Sequence, residues 1–287
     1  MKRRLFIVCF TGLVFAIAGG RLAFPVRVLA QQDMGGATSE AGGEHLRVET
    51  EQGPLHLWRP GNYDPCSAGV VVYIHGYFTS ADQTWTDDHL ATQFRDSDRN
   101  ALFIVIDAPQ SNGEDVSWKS LEDLLRTVED RAPFSLPRGP LVVVGHSGGY
   151  RTILLWLRDP RVQYVILLDG LYAGQVEFRS WLRPPPPAKP HRMVLVSSDT
   201  WRQANRFARR ISGTARRRTI PARSSRFTPR ETRARLLYVR SQYDHNEIVS
   251  SGKVLPVLLQ IAPISALTAV KPPSAERMVH KPPALVE

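Results

Sequence analysis

The stretch Val142-Val143-Val144-Gly145-His146-Ser147-Gly148-Gly149-Tyr150 (VVVGHSGGY) decides how the rest of the chain is read. Four apolar residues, Leu141 to Val144, run straight into G-x-S-x-G. Downstream, Tyr150, Ile153, Leu154 and Leu157 recur at helical spacing. A strand therefore enters the glycines and a helix leaves them. A serine hydroxyl is a poor nucleophile until a base takes its proton, and it must project from the backbone to meet that base. A tight strand-to-helix turn projects it, and glycines let the chain pass without side-chain clashes. In that geometry the N–H of Gly148 faces an oxyanion site at a helix N-terminus.

Other apolar runs lie on either side. Gly69–Ile74, Ala101–Ile106, Val162–Leu168, Met193–Val196 and Leu236–Val239 are nearly continuous in apolar residues. Strands without alternation are buried on both faces, as in a parallel sheet covered by helices. Leu121, Leu124, Leu125 and Val128 mark an intervening helix, with Ser117 and Ser120 placed to cap it. Trp201, Ala204, Phe207 and Ile211 mark a second, and Ile248 to Leu259 a weaker one that contains Gly252 and Pro256. Before them, His45–Thr50 and Leu55–Trp58 flank Glu51-Gln52-Gly53-Pro54 and read as a hairpin. The order argues for right-handed βαβ units in one α/β sheet.

Charge is unevenly placed along the 287 residues. The formal net charge is +10. Residues 1–30 hold five cations and no acid; residues 202–240 hold thirteen Arg and one acid, Glu231. The remainder is net acidic. Met1-Lys2-Arg3-Arg4 followed by an uncharged, mostly apolar run to Gly20 reads as an export signal, with Val28-Leu29-Ala30 as the cleavage site, or as an uncleaved membrane anchor. Periplasmic or secreted localisation is the expectation. Only Cys9 and Cys66 are present, and Cys9 lies in the leader, so neither a disulfide framework nor a cysteine metal site is expected. Residues 31–44 read as a polar linker, 45–267 as the folded domain, and 268–287 as a loose tail rich in Lys-Pro-Pro. Arg183 to Pro190, with Pro184 to Pro187 in a row, reads as a stiff connection.

YIHGY (73–77), VGHSGG (144–149), ILLDGLY (166–172) and QYDHNEI (242–248) follow one another on successive strand ends. This ordered set resembles the α/β-hydrolase superfamily of serine esterases and lipases over roughly residues 45–262. The resemblance implies a mostly parallel eight-stranded sheet flanked by helices, and a triad of serine, acid and histidine. It implies an oxyanion hole from the N–H groups of Tyr77 and Gly148, with His75, Gly76, Gly145, His146 and Gly149 in support. Ser147 is the nucleophile in this reading. His245 follows the last predicted strand and is the base. The acid is Asp169, at the end of the sixth predicted strand. The alternative is Asp199, after the seventh, which could instead cap the helix that follows. The implied activity is hydrolysis of an ester, with amides or peptides second.

Neither a metal nor an organic cofactor is expected; the chain holds no H-E-x-x-H, P-loop or dinucleotide fingerprint. Two rival readings stand beside the hydrolase: an acyltransferase, and a non-catalytic binding module for an anionic envelope component. The second would use Arg202, Arg206, Arg209, Arg210, Arg216, Arg217 and Arg218, whose plainer reading is a solvated helix face and loop. Nucleic acid is not an expected partner of an exported protein. The walls of the substrate pocket are expected from residues 77–94 and 171–192.

Overall fold

The computed structural model describes residues 36–183 and 190–268. The predicted leader, residues 184–189 of the predicted connection and nearly all of the predicted tail lie outside the described residues. Ten strands form one sheet: β1 (Thr38–Glu40), β2 (Gly43–Val48), β3 (Leu55–Pro60), β4 (Gly69–Ile74), β5 (Ala101–Ile106), β6 (Leu141–His146), β7 (Tyr164–Leu168), β8 (Arg192–Ser197), β9 (Thr214–Arg217) and β10 (Leu236–Arg240). Their spatial order is β1-β2-β3-β5-β4-β6-β7-β8-β10-β9. The first three run antiparallel, and β3 meets β5 antiparallel. From β5 through β9 every neighbouring pair is parallel.

The apolar runs are strands because both faces of the sheet are covered. In β4, Val70, Val72 and Ile74 join one core while Val71 and Tyr73 join the other. In β5, Leu102, Ile104 and Ile106 alternate in the same way with Ala101, Phe103 and Val105. Among the described residues, no helix is long and apolar enough to cross a membrane.

Two strands exceed the eight expected. β1 falls in the predicted linker; its residues are polar and largely exposed, and it exists because Ala41 and Gly42, at φ +50° and +76°, turn it back onto β2. β9 falls in the arginine-rich segment, where a loop was expected. Only Ala215 of Thr214–Arg217 is buried, so no hydrophobic run announced it; pairing with β10 defines it.

Local chemistry places the helices. Ser80 and Gln83 form a reciprocal capping box that starts Ala81–Asp87. Ser120 accepts the N–H of Asp123 and starts Leu121–Arg131; Ser117 is not the cap. The weak helix expected at 248–259 is two short helices, Glu247–Ser250 and Leu255–Leu259. Gly252, at φ +68°, breaks the run between them, and Pro256 sits in the first turn of the second, where its missing N–H is not needed.

Candidate active site

His75, Ser147 and Asp169 lie just beyond the carboxyl ends of parallel strands β4, β6 and β7, and His245 lies in the loop that follows β10. That is where open α/β sheets place their crevices. Ser147 follows β6 directly, at φ +47°, left-handed backbone that is uncommon for a serine. The short 3₁₀ turn Ser147–Gly149 leads into the helix Tyr150–Trp156. The turn is tight against the loop after β4. A Cβ on Gly76 would lie 2.8 Å from the Cβ of Ser147, and one on Gly148 would run into the Tyr77 ring. Glycine at both positions lets the two loops touch.

Ser147 Oγ lies 2.9 Å from Nε2 of His245, and Nδ1 of His245 lies 2.8 Å from Oδ2 of Asp169. A carboxylate can only accept, so Nδ1 carries the proton and Nε2 accepts from the serine hydroxyl. The hydrogen bond that His245 donates to Asp169 raises the pKa of His245 above its ordinary value, against the opposing effect of burial. His146 donates from Nε2 to the His245 carbonyl at 3.0 Å and packs its ring 4.7 Å from the His245 ring. Burial, then the neighbouring His245, pushes His146 down to about 4, so it is a neutral prop at pH 7.

Asp169 is fully buried, at φ +45°. Its carboxylate accepts the N–H groups of Ser198 (2.9 Å), Asp199 (2.9 Å) and Thr200 (3.0 Å), and the Thr200 hydroxyl at 2.6 Å. With His245 that makes five donors on two oxygens. Burial would raise its pKa; the bonds from His245, Thr200 and Asp199 prevail and hold it well below the usual carboxylate range. Asp199 does not cap the helix Trp201–Arg209; Thr200 is the cap residue, and its side chain is turned to Asp169. Asp169, Asp199 and His245 are the one group of metal-ligating side chains found close together among the described residues. The Asp169 oxygens in it are already taken up by N–H and O–H donors, which suits a hydrogen-bonded site better than a cation.

His75 ties the neighbouring loops. Nδ1 donates to the carbonyl of Gly76 at 2.6 Å, and Nε2 accepts the N–H of Ala108 at 2.9 Å, with Asp107 beside it at 3.1 Å. Gly145 and Gly149 are spacers: a Cβ would meet Ile153 at one and the carbonyls of Ile74 and His75 at the other. Of the other histidines, His45 and His56 hydrogen-bond to each other at 3.0 Å and stack on Trp85, as part of the β2–β3 hairpin. His89 precedes a helix, His191 bonds the carbonyl of Trp181, and His280 lies outside the described residues.

A cleft of about 800 Å³ opens over Ser147, within the usual range for small-molecule sites. Tyr77, Phe78, Tyr150 and Tyr172 give it aromatic surface; Gln83, Thr84, Asp87 and Asp88 give it polar surface. Of the expected wall 77–94, Tyr77, Phe78, Thr79, Gln83, Thr84, Asp87 and Asp88 line it, and none of 89–94 does. Of the described residues of the second expected wall, 171–192, Tyr172 alone takes part. Asn112 and the segment Asn246–Ser250 were not anticipated, because polar loop residues carry no pattern that marks a pocket. Arg151 was also missed. It donates to the Tyr77 hydroxyl at 3.2 Å and to the carbonyls of Ser111 and Glu114 at 3.0 and 2.7 Å, binding the Asn112 loop to the helix after the serine.

The arginines are partly engaged within the fold. Arg217 pairs with Glu231 at 3.1 Å, Arg216 lies over Tyr238, and Arg202 lies over Trp201. Arg206, Arg209, Arg210 and Arg218 are exposed.

Residues 71–275, more than half of the chain, match the model of the alpha/beta hydrolase family. The chain belongs to that family. The solved structures similar to this hydrolase fold include an S-formylglutathione hydrolase from Agrobacterium tumefaciens, at 11% identity and TM-score 0.51, covering 79% of this chain and 97% of that one. A feruloyl esterase module from Clostridium thermocellum matches at 12% identity and TM-score 0.51, covering 76% and 89%. At such identities the likeness is one of fold. No curated protein matches this α/β-hydrolase significantly in sequence.

Proposed function

We propose that this α/β-hydrolase is a serine esterase that works through an acyl-enzyme intermediate. The observation that carries the reading is the unbroken line Ser147–His245–Asp169, whose serine end opens on the cleft. Ser147 Oγ attacks the substrate carbonyl as its proton passes to Nε2 of His245. Asp169 holds the imidazole in one tautomer and stabilises the imidazolium. The N–H groups of Tyr77 and Gly148 receive the negative oxygen. The leaving alcohol takes the proton from His245. Water, deprotonated by the same nitrogen, then releases the acid and restores Ser147. The hydrolase and esterase names of the structural neighbours favour an ester over an amide.

A fluorophosphonate probe should label the wild-type protein at Ser147 and leave Ser147→Ala unlabelled. A folded protein that resists the probe would instead favour a binding module. Product analysis with added alcohols would separate water from a competing acyl acceptor. The charged start and apolar run of residues 1–30 support export; an N-terminus beginning at Gln31 in the extracytoplasmic fraction would bear this out.

A further inference from the structure

One wall of the cleft is acidic in an unusual way. The helix Ala81–Asp87 ends in Asp87, and Asp88 is its C-cap. Two carboxylates therefore sit where the last helical carbonyls already concentrate negative charge, the end of a helix that favours cations. Neither forms an ion pair with a lysine or arginine among the described residues. Asp88 is also withdrawn from water: burial, then Asp87, pushes its carboxyl up to about 6.

A second observation points the same way. Tyr73, in the middle of the sheet, is fully buried and lines the same cleft, and its hydroxyl has no hydrogen-bond partner among the described residues. Burial, then the charge of Asp88, pushes the pKa of that hydroxyl up. A buried hydroxyl without a partner pays its full desolvation penalty unless a ligand supplies one. An acidic wall without a cation and a phenol without a partner meet in one cleft.

We propose that Asp87, Asp88 and Tyr73 form a subsite for an ammonium group carried by the acyl or the alcohol part of the ester. The carboxylates supply the charge and Tyr73 Oη a further acceptor, while the aromatic wall covers the apolar portion. This rests on the esterase reading of Ser147 and adds the class of substrate to it.

The test uses matched esters in which ammonium replaces methyl: 4-aminobutyl against pentyl esters of one acid, and 5-aminopentanoate against hexanoate esters of one alcohol. In one of the pairs the ammonium member should have the higher kcat/KM by about tenfold or more at pH 8 and low salt. The preference should shrink towards parity in Asp88→Asn and in Asp87→Asn. In the wild type it should fall as pH drops through about 6. The titratable groups facing Asp88 are Asp87 and His89 on its own turn and His75 and Tyr73 from the β4 segment. Both esters share the titration of His245, so the ratio isolates the subsite. The wild-type ratio decides the matter even if a variant fails to fold. Equal or better hydrolysis of the neutral member in both pairs overturns the subsite and leaves the esterase standing. Absence of both hydrolysis and fluorophosphonate labelling overturns the esterase and the subsite with it.

Discussion

Asp169 and Asp88 are two carboxylates drawn away from water in one domain, and they end in opposite states. Asp169 is the more deeply buried, yet its pKa is depressed, because five donors converge on it. Asp88 is less buried and its pKa is raised to about 6, because nothing replaces the water it has lost. Burial alone does not set the charge of a carboxylate; the donors that replace its hydration do. A saturated carboxylate fixes geometry. An unsaturated one beside a cleft is placed to receive something.

Substitutions should separate the two. Ser147→Ala should abolish turnover, a loss of about 10³-fold or more, and provides the baseline for the others. Asp169→Asn should reduce kcat by about 10³–10⁴-fold, since an amide cannot hold the imidazole in the same tautomer. A larger loss in Asp199→Asn would reverse the assignment of the acid. The rising limb of the kcat/KM pH profile should lie above 6.5 in the wild type, because Asp169 favours protonated His245 and the reaction needs it neutral. In any residual activity of Asp169→Asn the limb should move to lower pH.

Smaller effects concern stability and follow from the signs of the shifts. Asp169 has a depressed pKa in the folded state. Its contribution is present above about 3.9 and is lost as pH falls below that value. Asp88 has a raised pKa, so stability is full below about 4 and is lost as pH rises through about 6. Asp88→Asn should therefore melt roughly 2–4 °C higher than wild type at pH 8, with little difference at pH 4, as read by calorimetry. Asp199→Asn is expected to be the mildest change, within about threefold in kcat, because the exposed Asp199 meets Asp169 through its backbone N–H. Equal melting shifts at pH 4 and 8 for Asp88→Asn would break the contrast.

The parts legible in the sequence were those that leave a periodic or positional trace. Continuous apolar runs gave the buried parallel strands because burial on both faces removes alternation. The order of the four short motifs gave Ser147, His245 and Asp169, which the fold brings within hydrogen-bonding distance across 98 residues of chain. The choice between Asp169 and Asp199 was open in one dimension, since each follows a strand. It depends on which side chain receives the β8 loop amides, and on a Thr200 hydroxyl turned inward. β1 and β9 left no trace because polar edge strands need only a partner. Tyr73 read as part of a buried strand, and Asp88 as no more than one residue of the expected 77–94 wall; their meaning depends on a cavity they share.

β9 is the outermost strand on its side of the sheet, and it carries two residues of the arginine-rich segment. An open edge is a template on which another chain can add a strand. Arg216 and Arg217 stand on that edge with Arg218 just beyond it. Two copies meeting there would bring guanidinium groups of like charge together. Arg217 is paired with Glu231, so that repulsion falls to Arg216 and Arg218, and replacing these two with neutral residues should lower solubility.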